Sequence, residues 1–506
     1  MKKHVLEYLE ESARRYPSRR AYEDISKSYT FEEVSRVAKA IGSGICKAGL
    51  YKKPVAVLMK KSASMIAGFL GILYGGCFYC PIDVTMPLER IQAALSLLEP
   101  GAILTEEALK ELAESLGLGC PVYLFEELCR QPEDEMRLME VRRQSTDTDL
   151  IYVLFTSGST GVPKGVGMSH RVIINNMEWL EKEYCFTAND VLGNQAPLYF
   201  DISVHDIYCP LKFGCSTVII PGEHFVFPIK LIPFLNEHHI TAIFWAPFAL
   251  ITAVSLKALE IQAPEYLRFV FFAGEEMPVK PLNYWRKYVP DALYVNMYGS
   301  TETHVCTYYN LSREYGDEER LPIGRPCSNI DVLVLDDKEE LVLPGTERQG
   351  ELCIRGCAMA SGYYNDREKT AERFVQNPMN SHYPEIIYRT GDWVSYQEDG
   401  ELLYHGRMDF QIKRLGYRIE LGEIETAALG VKGIEACACV YHSKKQTIFL
   451  FYTGKEIDKK EISQGLSQRI PKYMLPGRYV YLLDMPRNAN GKIDRKKLRE
   501  LYVENT

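Results

Sequence analysis

The chain has 506 residues, 46% apolar and 25% charged, with a formal net charge of −8 and a pI near 5.8. That length exceeds what one core supports, so two or more domains are expected, and the apolar content excludes a disordered chain. The acidic balance argues against a general nucleic-acid binder, which needs basic surface.

The N-terminal "MKKHVLEYLEESARRYP" has no long apolar core before its charges and does not read as a signal peptide. Thr30-Phe-Glu-Glu33 forms a capping box that opens a helix with "VSRVAKAIGSGI" as its amphipathic body. Val55–Leu58 reads as a strand. Ser64 to Ile82 is uncharged and nearly long enough to span a bilayer, but Gly75-Gly76 and Pro81 interrupt it. A buried helix, a glycine turn and a short strand ending at Asp83 are expected there, so no membrane insertion is expected.

The 14 cysteines are scattered, and Cys77-x-x-Cys80 lacks a second pair at zinc spacing. They are expected to be free thiols in a reducing cytoplasm. Further strand-like runs at 150–154, 242–245 and 269–272 alternate with helix-like segments, which predicts α/β layers with mixed or parallel sheets flanked by helices. The composition shifts near Arg407–Asp409. From Lys455 onward there are 12 Lys/Arg against 7 Asp/Glu, a local charge of +5. The expected division is a large, multi-subdomain body at 1–408 and a small α+β domain at 409–506.

The strand at 150–154 runs into "LFTSGSTGVPKG" (154–165). Gly158, Gly161 and Gly165 let backbone N–H groups converge on an anion. Thr156, Ser157, Ser159, Thr160 and Lys164 add donors and a positive charge. The pattern reads as a grip for a triphosphate or pyrophosphate. It is not a Walker A loop, since Lys164 is followed by Gly165, and no G-x-S-x-G elbow surrounds Ser157 or Ser159.

"TSGSTGVPKG" is followed in order by "NMYGSTET" (296–303), "GELCIRG" (350–356), "YRTGDW" (388–393), "GRMDFQIKRLGYRIELGEIE" (406–425) and "PRNANGKIDRKKL" (486–498). "GGCFYCPIDVTMPLERI" (75–91) and "IPKYMLP" (470–476) match as well. Together they resemble the adenylate-forming superfamily of acyl-CoA synthetases, luciferases and peptide-synthetase adenylation domains, over almost the whole chain.

The resemblance implies a two-step reaction. A carboxylate attacks the α-phosphate of ATP to give an acyl-adenylate, and a thiol then takes the acyl group. It also implies residue roles. The loop Thr156, Ser157, Gly158, Ser159, Thr160, Gly161 and Lys164 would close over the β- and γ-phosphates. Thr301 and Glu302 would meet the α-phosphate, with Glu302 holding Mg2+. Asn296, Tyr298 and Gly299 would line the nucleotide site, with Tyr298 stacked on adenine. Asp392 would accept the ribose hydroxyls and Arg407 would add a ribose or phosphate contact. Lys492 would bridge the substrate carboxylate and the α-phosphate. Asp409 would be the hinge of the small domain, and the turn at Gly416 would line the thiol tunnel. The family usually has proline where this chain has Ser300, so a local change in loop stiffness is expected.

"NQAPLYFDIS" (194–203) bears on the substrate. In amino-acid-activating relatives the Asp of this motif pairs with the α-ammonium, and Asp201 matches it; the alternative is a helix N-cap. The side-chain pocket would draw on Ile202, His205, Phe244 or Trp245, Phe271, Ala273, Met297, His304 and Val305. The bulk of Phe271 and Met297 implies limited room.

Within the superfamily the chain is most similar to stand-alone D-alanine–carrier-protein ligases, except that Ala273 stands where those have a cysteine, so their enantiomer selectivity does not carry over. The ending soon after Lys492 implies that a separate carrier protein supplies its phosphopantetheine thiol in trans. The +5 tail is suited to steering an acidic carrier. An acyl- or aryl-CoA ligase and an inactive adenylate-binding relative are the alternatives. A dehydrogenase is disfavoured, because no G-x-G-x-x-G follows the early strands.

Overall fold

The computed structural model describes residues 2–158, 163–407, 411–443, 445–487 and 493–503, and the statements below concern these residues. The chain divides into two compact units. The first comprises Met1–Ile82, Leu98–Leu154 and Gly165–Met408. The second comprises Asp83–Leu97, Phe155–Lys164 and Asp409–Thr506. The helical segment at 83–97 and the glycine loop thus cluster with the C-terminal residues rather than with the larger body.

The first unit is built on three sheets. In the nine-stranded sheet, Arg20–Glu23, Ser216–Ile219, Val191–Asn194, Ala242–Trp245, Phe269–Phe272 and Leu293–Tyr298 run parallel, and antiparallel strands close both edges. The central runs Ala-Ile-Phe-Trp and Phe-Val-Phe-Phe are buried at every position, the composition expected where both faces of a parallel sheet are covered. A seven-stranded sheet contains Pro54–Leu58, Phe78–Pro81 and Leu150–Thr156, and a five-stranded antiparallel sheet contains Ile386–Tyr396 and Leu402–Arg407. In open sheets, ligand sites form beyond the carboxyl ends of parallel strands, and Asn194, Trp245, Phe272 and Tyr298 stand at those ends.

The capping box appears as expected. Thr30 Oγ1 accepts from the Glu33 N–H and the Glu33 carboxylate accepts from the Thr30 N–H, opening the helix Phe31–Lys47. The uncharged segment resolves into a buried helix Ala63–Tyr74, a turn at Gly75-Gly76 and a strand Phe78–Pro81. Its helix lies so close to Phe31–Lys47 that a Cβ at Gly71 would come within 2.5 Å of the Ile41 Cβ, which explains a glycine inside a helix. No helix among the described residues is long and apolar enough to cross a membrane. All 14 cysteines are free.

The second unit holds a hairpin, Gln411–Arg414 with Tyr417–Glu420, and a three-stranded sheet of Ile434–His442, Thr447–Gly454 and Arg478–Tyr481. Helices Leu421–Leu429 and Lys459–Ser467 contribute to its core around Ile424, Cys439, Leu450 and Leu466. Leu415 and Gly416, at the hairpin tip, both have positive φ (55° and 80°), the sense that matches strand twist in a two-residue turn.

In the first unit, His4 and His170 are buried ring to ring at 3.7 Å, with Arg142 nearby. Burial, reinforced by the Arg142 charge, holds His4 well below the usual imidazole range and His170 down at about 3. Both are therefore neutral in the fold and bind protons only on unfolding. Their contribution is complete above pH 6.5 and is lost as pH falls, by up to about 1.4 kcal/mol per pH unit for each. The melting temperature is expected to drop between pH 6.5 and 5, and less steeply in the double variant His4→Gln/His170→Gln. Equal slopes would refute this assignment.

Candidate active site

Asp392 lies in the strand Ile386–Tyr396, directly opposite Arg407 in the neighbouring strand. Arg407 Nη1 donates to Asp392 Oδ1 at 2.9 Å, and the Tyr298 hydroxyl donates to Oδ2. Burial, with the Asp392 charge added, pushes the Tyr298 phenol far above its usual range, so it stays a donor. A carboxylate offers about four lone-pair sites, so these two bonds leave acceptor capacity for a diol. The Tyr298 ring lies 6.4 Å from that of Tyr404, and Asn296 Nδ2 is engaged by the Pro322 carbonyl at 2.8 Å.

Beyond the strand Leu293–Tyr298 the chain turns sharply. A Cβ at Gly299 would stand 1.5 Å from the His304 carbonyl oxygen, so no other residue fits. His304 takes a φ of 49° to close the turn. Ser300 uses its N–H to bond Thr303 Oγ1 at 3.1 Å, a bond that a proline expected there from the family resemblance would lack. Thr301 is half-buried beside it. Glu302 is fully buried and accepts from the Tyr363 hydroxyl at 2.9 Å, while its carbonyl accepts from the Ala360 N–H. Among the described residues no cluster of three or more His, Cys, Asp and Glu could hold a metal by itself. A single carboxylate suits magnesium, which keeps waters and completes its shell with substrate phosphate oxygens.

Asp201 opens a one-turn 3-10 helix, Asp201–Ser203, that leads into the helix Val204–Phe213. The N-cap position of that longer helix belongs to Ser203 rather than Asp201. Asp201 and Ile202 are half-buried. The Asp201 charge acts on His304, whose imidazole burial nonetheless pushes down to about 4. His205 is held still further below its usual range, first by burial and then by His304.

An aromatic stack continues from there. His304 and His205 are 4.9 Å apart, His205 and Phe244 4.3 Å, and Phe244 and Phe271 4.4 Å, the last two pairs nearly parallel. Strand alternation chooses between Phe244 and Trp245. Phe244 joins the core that contains Phe271 and Met297, whereas Trp245 points to the opposite core and donates to the Gly193 carbonyl. Val305 is buried in the same core as Met297, and Ala273 is half-buried at its edge. His205 Nδ1 and Nε2 and His304 Nε2 are buried without hydrogen-bond partners.

In the second unit, the glycine loop leaves the strand Leu150–Thr156. Ser157 Oγ donates to the Arg418 carbonyl at 2.7 Å, Gly158 is buried, and Lys164 Nζ lies 3.7 Å from Glu420. Thr156 Oγ1 is buried and without a partner. Gly416 occupies the hairpin tip described above. Ser159, Thr160, Gly161, Asp409 and Lys492 lie outside the described residues. The motifs gave no sign of Tyr363 as the partner of Glu302, or of Glu420 as the partner of Lys164. Tyr363 sits in "SGYYND", a stretch with no local chemical signature.

Two family matches run in series along the chain. The AMP-binding enzyme family covers residues 9–364, and the AMP-binding enzyme C-terminal domain covers 423–492. The chain belongs to the AMP-binding enzymes. Tyrocidine synthase 1 of Brevibacillus parabrevis is 31% identical over 98% of this chain and 45% of its own length. The chain thus spans less than half the length of that curated relative. Zwittermicin A synthase ZmaJ of Bacillus cereus is 30% identical over 98% of this chain and 94% of its own. The Vibrio cholerae adenylation domain AlmE, solved with glycyl-adenosine-5'-phosphate, superposes with a TM-score of 0.86 at 23% identity. It covers 100% of this chain and 98% of that one, and the likeness establishes the fold. The enzyme is of the peptide-synthetase adenylation type, with mixed and parallel sheets flanked by helices and a small C-terminal domain.

Proposed function

We propose that the enzyme activates an amino acid as its aminoacyl-adenylate and transfers it to the phosphopantetheine thiol of a separate carrier protein. The observation that carries this reading is Asp201. It opens the turn into the helix that carries His205 of the aromatic stack, leaves the N-cap position to Ser203, and its charge acts on the buried His304. The likeness to peptide synthetases supports it.

In the first half-reaction a substrate carboxylate oxygen bonds to the α-phosphorus of ATP, the α–β bridging bond breaks, and pyrophosphate leaves. In the second, the carrier thiolate bonds to the acyl carbon and AMP leaves, with the thiol proton passing to solvent. Asp392 and Arg407 hold the ribose, and Tyr298 orients Asp392. Asp201 pairs with the α-ammonium, a charge-assisted contact. Glu302 would hold Mg2+, which would offset the triphosphate charge. Lys492 supplies a cation between the substrate carboxylate and the α-phosphate. The bulk of Phe271 and Met297 limits the room for a substrate side chain.

The test is substrate-dependent ATP–pyrophosphate exchange across both enantiomers of an amino-acid panel, with fatty and aryl acids alongside. A sharp response to one amino acid supports the reading. A response only to acids without an amino group makes the enzyme an acyl- or aryl-activating ligase and overturns it. In Asp201→Ala, loss of a charge-assisted bond worth about 1.5–3 kcal/mol is expected to raise the amino-acid KM about 10- to 100-fold while ATP binding survives. Unchanged preference for amino over des-amino acids in that variant refutes the pairing.

A further inference from the structure

Lys61 follows the strand Pro54–Leu58 and precedes the helix Ala63–Tyr74. Its chain crosses to the strand Val191–Asn194 of the other large sheet. Nζ donates to the Gln195 carbonyl at 2.9 Å and reaches the Asn194 carbonyl at 3.5 Å. Asn194 is fully buried, and its Nδ2 donates to the Ala196 carbonyl at 3.2 Å and to Asp206 Oδ2 at 2.7 Å. Asp206, also fully buried, lies on the helix Val204–Phe213, and its backbone carbonyl accepts from Thr217 Oγ1 at 2.7 Å.

These bonds grip both ends of one segment. Residues 194–196 are held at the start and Asp206 at the finish, and between them lie Asp201, Ile202 and His205. Lys61 is part-buried, with Nζ held against the two carbonyls. Burial pushes its pKa down to about 7 against the opposing pull of Asp206, and burial likewise raises the Asp206 carboxyl to about 7. Enclosing an ammonium is costly unless it satisfies groups that nothing else reaches. Here that group is the Gln195 carbonyl, with the Asn194 carbonyl shared with the Ile220 N–H, while Asp206 acts on the ammonium through its charge.

We infer that Lys61 is a positioning residue for substrate selection: by pinning the Gln195 carbonyl and facing Asp206, it fixes the 194–206 segment and with it the Asp201 carboxylate. This rests on the reading that Asp201 pairs with the amino-acid ammonium. The nucleotide contacts Asp392, Arg407 and Tyr298 belong to other strands, so Lys61 bears on one substrate and not on the other.

The experiment is ATP–pyrophosphate exchange on the full chain, using the amino acid that gives the highest wild-type rate in the panel. Removing the ammonium in Lys61→Met takes the side-chain donor from the Gln195 carbonyl, which is expected to raise the amino-acid KM about tenfold or more, with the ATP KM and saturating rate within about threefold. Lys61→Arg, which keeps a cationic donor, is expected to restore the amino-acid KM to within about threefold of wild type. A folded Lys61→Met with an unchanged amino-acid KM overturns the inference, as does a parallel loss in the ATP KM and rate. If Lys61→Met does not fold, Asn194→Ser removes the amide bonds from the other side. A selective rise in the amino-acid KM then supports the inference, and a parallel loss or no rise overturns it. A wild type that exchanges only with des-amino acids overturns the amino-acid reading and this inference together. Amino-acid exchange that Lys61→Met leaves untouched overturns only the role of Lys61.

Discussion

Asp392→Ala is expected to damage the enzyme twice over. Arg407 and Asp392 are only 7% and 4% exposed at their side chains, and Arg407 donates to Asp392 at 2.9 Å. Truncating the carboxylate leaves a buried guanidinium without its counter-charge, which costs about 3–5 kcal/mol of stability. The Tyr298 hydroxyl loses its acceptor in the same step. On the proposed function the diol grip also disappears, so the ATP KM rises about 100-fold even where folded protein remains. Denaturant unfolding and ATP-dependent exchange measure the two effects separately. Asp392→Asn keeps an acceptor for one partner and should fall between wild type and Asp392→Ala in both assays. An Asp392→Ala enzyme with wild-type stability would show that the Arg407 pair is not integral to the fold. Unchanged ATP dependence would remove Asp392 from the nucleotide site.

Lys492→Ala is expected to lower adenylate formation by about 100- to 1000-fold, the scale on which a preorganised charge at a developing transition state acts. Transfer of the aminoacyl group from preformed aminoacyl-adenylate to a carrier thiol should change only a few-fold, because that half-reaction forms no bond at phosphorus. Single-turnover assays of each half-reaction read the split. Equal loss in both would remove Lys492 from the adenylation step. The expectation comes from the resemblance of "NGKIDR" to the family's terminal motif. On the proposed function, it and Asp392→Ala separate the two chemical demands: Asp392 on ATP binding, and Lys492 on the bond-forming step.

Asp201→Ala and Lys61→Met form a second contrast. The first removes the group proposed to touch substrate; the second removes a group proposed to hold that one in place. Both are expected to raise the amino-acid KM and to spare ATP. Only the first should erase the preference for an amino group, since in Lys61→Met the carboxylate remains but is less well fixed.

Much of this was legible in the sequence, because the signals involved are local. The capping box at Thr30–Glu33 needs three residues of spacing, and both of its bonds are present. The runs at 242–245 and 269–272 coincide with the observed strands, since a strand buried on both faces must be apolar at every position. Gly75-Gly76 broke an apolar stretch that would otherwise have resembled a membrane span. The order of motifs identified the family, which its matches over 9–364 and 423–492 bear out.

Only the tertiary structure could decide which side chains meet. It assigned Phe244 rather than Trp245 to the stack with His205, through the two-residue alternation of a strand whose faces look into different cores. It put the Tyr298 hydroxyl on Asp392, the Tyr363 hydroxyl on Glu302 and the Lys61 ammonium on the Gln195 carbonyl. It also grouped the loop Phe155–Lys164 with the C-terminal unit. None of these pairings leaves a periodic trace, because periodicity reports only the burial of a residue's own face. Which partner fills a buried polar site is set by strand order, register and the packing of segments tens to hundreds of residues apart.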